Sequence, residues 1–153
     1  MIMRLLDVLV ALCLMLPVLA TAQTPPAAPK RATASELEGA WAGQSMEVSG
    51  VEQPAETAAL MHWTFKGDRL IMRGNSRTDP SRESDLAYKI DSTTSPKQLE
   101  FTDPNGTLVP GIYELKGDVL TVCMRRGAGD RPTSFKTDAS ERLIKIVLKR
   151  APK

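Results

Sequence analysis

Thr64-Phe65-Lys66-Gly67-Asp68-Arg69-Leu70 and Glu114-Leu115-Lys116-Gly117-Asp118-Val119-Leu120 read almost alike, each setting Gly-Asp between two alternating apolar runs. Glycine takes a positive φ without steric cost, so Gly-Asp closes a two-residue hairpin turn of the primed type. Folding the first segment about its turn pairs Phe65 with Leu70 and Trp63 with Met72. Folding the second pairs Leu115 with Leu120 and Tyr113 with Val122. Side chains alternate between the faces of a strand, so both hairpins gather their large apolar residues on one face. The register therefore assigns Trp63, Phe65, Leu70, Met72, Tyr113, Leu115, Leu120 and Val122 to one interior, where they would line any small-molecule pocket. His62, Ile112, Thr121 and Cys123 point the other way. A slip of one residue would exchange every assignment.

The rest of the chain extends this antiparallel pattern. Strands are expected at residues 39–48, 61–66, 69–73, 86–91, 98–102, 111–116, 119–124 and 143–150, with a weak one at 134–136. Turn chemistry separates them: Gly74-Asn75-Ser76, Thr94-Ser95-Pro96, Asp103-Pro104-Asn105-Gly106 and Gly127-Ala128-Gly129-Asp130. Residues 54–60 are rich in Ala and Glu behind Pro54, which suits a first helical position, and predict one short helix after the first strand. Ser35-Glu36-Leu37-Glu38 predicts a capped helical turn before it. The last strand alternates Ile144, Ile146 and Leu148 with Lys145 and Lys149. Left at an edge, such a strand would invite aggregation. Pairing it with the first strand closes a small up-and-down barrel of about eight strands, the favoured alternative to a sandwich.

The first 22 residues read as a signal peptide, with Arg4 as the positive start, an apolar run after it, and Ala20-Thr21-Ala22 as a small-x-small cleavage site. Cleavage after Ala22 leaves Gln23 first and places the protein in the periplasm or outside the cell. The uninterrupted apolar core is shorter than the ~20 residues that span a bilayer, so no stable membrane anchor is expected after cleavage. Cys13 lies within the apolar run, away from the cleavage point, which argues against lipidation. Residues 23–35, with prolines and alanines and no periodicity, read as a flexible linker to one domain over 36–151. Cleavage removes Arg4 and Asp7 together, so the formal charge of +2 is unchanged. These dispersed charges give no nucleic-acid or membrane-surface footprint. Only Cys123 remains after cleavage, which leaves no internal disulfide.

Few residues suggest catalysis. His62 is the only histidine, and a typical zinc site needs three or four ligands; no G-x-S-x-G presents a serine. Neither metal nor cofactor nor enzymatic activity is expected. Cys123 reads as a small apolar filler under a neighbouring loop. Asp103-Pro104-Asn105-Gly106-Thr107 lacks the later positions of an EF-hand and reads as a turn, and its Asn105-Gly106-Thr107 sequon reads as a chance match. Asp79, Glu83 and Asp85 with Arg77 and Arg82 read as a solvated loop. Arg125, Arg126 and Arg131 flank a Gly-rich loop and read as solubilising it, the other reading being an anionic group at a barrel mouth.

Gly39-Ala40-Trp41 after a helical turn resembles the G-x-W signature of lipocalin and calycin barrels. That resemblance implies a basic residue of the final strand over Trp41, best matched by Arg150 and next by Lys149, as a structural pair at the barrel floor. A closer resemblance runs from about Leu37 to Lys149. Its motifs are Leu37-Glu38-Gly39-Ala40-Trp41, Phe65-Lys66-Gly67-Asp68-Arg69-Leu70, Pro110-Gly111-Ile112-Tyr113-Glu114-Leu115, Asp118-Val119-Leu120-Thr121-Val122-Cys123 and Arg131-Pro132-Thr133-Ser134-Phe135. In that order they are similar to an uncharacterised secreted lipocalin-like domain family best known from planctomycetes. The family implies a fold and a compartment but no reaction. The expectation is an exported, non-enzymatic barrel that binds a small hydrophobic ligand. The alternative is a protein-interaction or inhibitor module with a solid core and binding loops.

Overall fold

The computed structural model describes residues 36–152 other than 75, 77 and 128. The expected leader and linker, with Ser35, lie outside the described residues. Nine strands and one helix follow in order: β1 (Gly39–Val48), β2 (Val51–Glu52), α1 (Ala55–Ala59), β3 (His62–Lys66), β4 (Arg69–Arg73), β5 (Ser84–Asp91), β6 (Lys97–Thr102), β7 (Leu108–Lys116), β8 (Val119–Arg125) and β9 (Leu143–Arg150). Each strand from β3 to β9 pairs antiparallel with the next, and β1 pairs with both β3 and β9. The result is a closed eight-stranded antiparallel barrel. The two-residue β2 folds back on the end of β1 as an appendage.

Both hairpins have the expected register, with Phe65 opposite Leu70, Trp63 opposite Met72, Leu115 opposite Leu120 and Tyr113 opposite Val122. Gly67 and Gly117 have φ of 59° and 58°, while the aspartates after them do not enter positive φ. Glycine alone at the first central position makes the turn type II′. These turns, Leu37 and Arg150 share one end of the barrel, the floor. The opposite end, the mouth, carries β2 and α1, and there β8 ends and β9 begins.

Three details depart from the sequence reading. The short helix follows β2 rather than β1. Residues 134–136 form no strand. β7 starts at Leu108 and runs through Pro110, which lies beyond the last β7–β8 pair, Gly111 with Met124. There the proline stands at a ladder edge, where a missing N–H is tolerated.

The long loop before β9 is a strap across the outside of the barrel. Ile112, Cys123 and Leu143 form a second small core there, with Phe135 against it. Arg131 clamps the strap, its Nη1 donating to the carbonyls of Leu99 at 2.7 Å and Gly111 at 2.6 Å, with Glu100 3.2 Å from Nη2. Arg131 is thus a structural tie rather than a solubilising charge. Its neighbour Arg125 donates from Nε to the Asp130 carbonyl at 2.8 Å. At the far end of the strap Thr137 donates to Glu47, which also accepts from Lys145.

Burial pushes the Cys123 thiol up from 9.0 to about 11. The folded state then holds this proton more tightly than the unfolded chain. The associated stability is complete below pH 9 and falls as pH rises toward 11. Cys123 is fully excluded from solvent, so thiol reagents should modify it slowly at pH 8. Arg131→Ala should accelerate that modification by about tenfold, because charged hydrogen bonds hold the strap closed. An unchanged rate in the variant would show that the strap is not what shields the thiol.

Candidate functional site

The barrel is solid at one end and bears a half-open cavity at the other. At the floor, Trp41 is wholly buried and its indole N–H donates to the Leu37 carbonyl at 2.8 Å. The Arg150 guanidinium lies 4.2 Å from the centre of the Trp41 ring and donates to the carbonyls of Glu38 at 2.6 Å and Glu36 at 3.1 Å. Arg150 is therefore the basic residue over this tryptophan; Lys149 points outward, its burial breaking with that of Leu148. Above this plug Phe65, Leu70, Leu120, Val122 and Leu148 are completely buried. Phe65 meets the edges of Trp63 and Tyr88 at 6.2 Å and 5.0 Å.

Tyr113 closes one side of the floor. Its hydroxyl donates to Glu36, which also forms an ion pair with Lys97 at 2.9 Å. Burial would raise the Glu36 carboxyl, but hydrogen bonds from Tyr113 and Lys97 outweigh it and hold the group below its usual value. Burial, and then the bond to Glu36, push the Tyr113 hydroxyl upward. Tyr113 and Leu115 line a groove of 470 Å³ at this rim, together with Pro96, Lys97 and Phe135. That groove lies outside the barrel.

The mouth half holds a chamber of 390 Å³, half open to solvent, within the ~300–1,000 Å³ of small-molecule sites. Every methionine outside the first 22 residues stands in its wall: Met46, Met61, Met72 and Met124. Val48, Trp63, Phe101, Ile144 and Ile146 complete the apolar lining, and Thr57 comes from α1. Of the eight residues expected to line a pocket, Trp63 and Met72 do so here. Phe65, Leu70, Tyr113, Leu120 and Val122 instead fill the barrel below, and Leu115 is only partly buried at the floor rim. Large side chains near the two tight hairpin turns converge and leave no space, whereas strands near the mouth are capped by loops.

A bulge explains why Met46 was not legible as a wall residue. The β1–β9 register shifts between Gly43 and Ser45, so strict alternation from Trp41 puts Met46 on the wrong face. The shift turns Met46 and Val48 inward.

The outward set is placed as the register requires. His62 is exposed and Thr121 half-buried, while Ile112 and Cys123 lie beneath the strap. His62 borders an outer groove of 370 Å³ beside the Arg73–Glu83 ion pair. Among the described residues no group of three His, Cys, Asp or Glu side chains could hold a metal ion. No family model matches the chain, and neither does any curated protein or solved structure.

Proposed function

We propose that this protein is an exported, non-enzymatic binding module, secreted or periplasmic, that takes a small apolar ligand into the mouth of its barrel. The mouth chamber carries this reading: an apolar cavity of ligand size, set above a solid floor, with four methionines in its wall. Thioether side chains are unbranched and polarizable, so such a wall adapts to the shape of an apolar guest. Membership of the secreted lipocalin-like family belongs to the same proposal and rests on the ordered motifs from Leu37 to Lys149.

A second reading has its own support. The large apolar residues most open to solvent, Val51, Leu60 and Leu108, all stand on mouth-side segments. A protein partner or inhibitor target seated over the mouth would cover them.

Native mass spectrometry of the protein taken from its own compartment tests export and binding together. The expected species is a polypeptide beginning at Gln23 with a small molecule retained. A mass that includes Met1 would overturn the export expectation. A bare chain that also takes up no added apolar probe would favour the protein-partner reading.

A further inference from the structure

Among the described residues the chamber wall contains a single charged side chain, Arg126. It is exposed, and its backbone N–H is fixed to the Arg142 carbonyl at 2.6 Å. Arg125 and Arg131 on either side are engaged in holding the strap. Among the described residues no carboxylate forms an ion pair with Arg126. A guanidinium at the rim of an apolar cavity is a ready partner for a planar anion, to which it can donate in parallel.

The Trp63 ring stands in the same wall, but its indole nitrogen has no accessible surface and does not open into the cavity. Trp63 is 1% exposed, and its indole N–H is buried without a hydrogen-bond partner among the described residues. The other tryptophan, Trp41, is satisfied by Leu37.

We propose that the chamber selects an anionic amphiphile: a medium-length apolar body against the methionine wall and a carboxylate-type head on Arg126. This inference rests on the chamber being a ligand site, and its test separates the two claims. The probes are decanoate, decanol and decyltrimethylammonium, titrated calorimetrically below micelle-forming concentrations. Decanoate should bind about tenfold tighter than decanol, the gain of a charge-assisted hydrogen bond over a neutral one, and decyltrimethylammonium should bind weakest. Arg126→Gln should bring the decanoate-to-decanol ratio close to one. Lys89→Gln, on the exposed outer face of β5, should leave the ratio unchanged. Equal binding of decanoate and decanol, unaltered by Arg126→Gln, would overturn the head-group assignment and leave the apolar site standing. Binding of none of the three would overturn both.

Discussion

Replacing Trp41 by alanine should lower the unfolding free energy by about 3–5 kcal/mol, the usual cost of emptying an aromatic site in a core. Three observations place the effect at the upper end of mutational changes. The ring is wholly buried, its N–H has a partner in Leu37, and the Arg150 guanidinium covers it. The last contact is worth ~0.5–2 kcal/mol. Arg150→Met should therefore cost less than Trp41→Ala, while still leaving the carbonyls of Glu36 and Glu38 without their donor. Chemical denaturation of both variants checks the ranking. A loss below ~1 kcal/mol for Trp41→Ala would contradict the role of this residue as the floor plug.

Gly43→Ala should be the next most damaging change and should also alter the mouth. A Cβ at position 43 would lie 2.0 Å from the Ala58 carbonyl oxygen and 3.1 Å from the Met61 Cβ. The obstacle is the backbone of α1, which can yield only by moving the helix. Overpacking of this kind costs ~1–3 kcal/mol or more. Thr57 of α1 and Met61 both line the chamber, so the same variant should weaken binding of an apolar probe. Gly67→Ala is the contrast. Its Cβ would meet nothing within 4 Å, and the strain comes only from the φ of 59°, which costs ~1 kcal/mol. A helix so displaced should show in the loss of apolar probe binding by Gly43→Ala and its retention by Gly67→Ala.

The fold was legible because the two Gly-Asp turns fix a register, and a register fixes which side of each strand faces in. Closure followed from the apolar last strand, and the Trp41–Arg150 pair followed from a resemblance that the geometry matches. The chamber was less legible for a local reason. Alternation states which face a residue occupies but not its height along the barrel, so Phe65, near the floor turn, and Trp63, toward the mouth, look equivalent in sequence. Met46 was hidden by the bulge after Gly43. The strap has no periodicity, so the tie made by Arg131 could not be told from Arg126, five residues away, which forms no ion pair among the described residues. One signal was available. Met72 was assigned to the interior, and the other methionines after the leader are few enough to ask whether they meet it.

The methyl resonances of Met46, Met61, Met72 and Met124 test the central claim most directly. All four line the mouth chamber and sit on four different parts of the chain. With carbon-13 in the methionine methyl groups, saturating decanoate should shift all four signals together. Decanoate that binds with all four signals unmoved would contradict a ligand site in the mouth of the barrel.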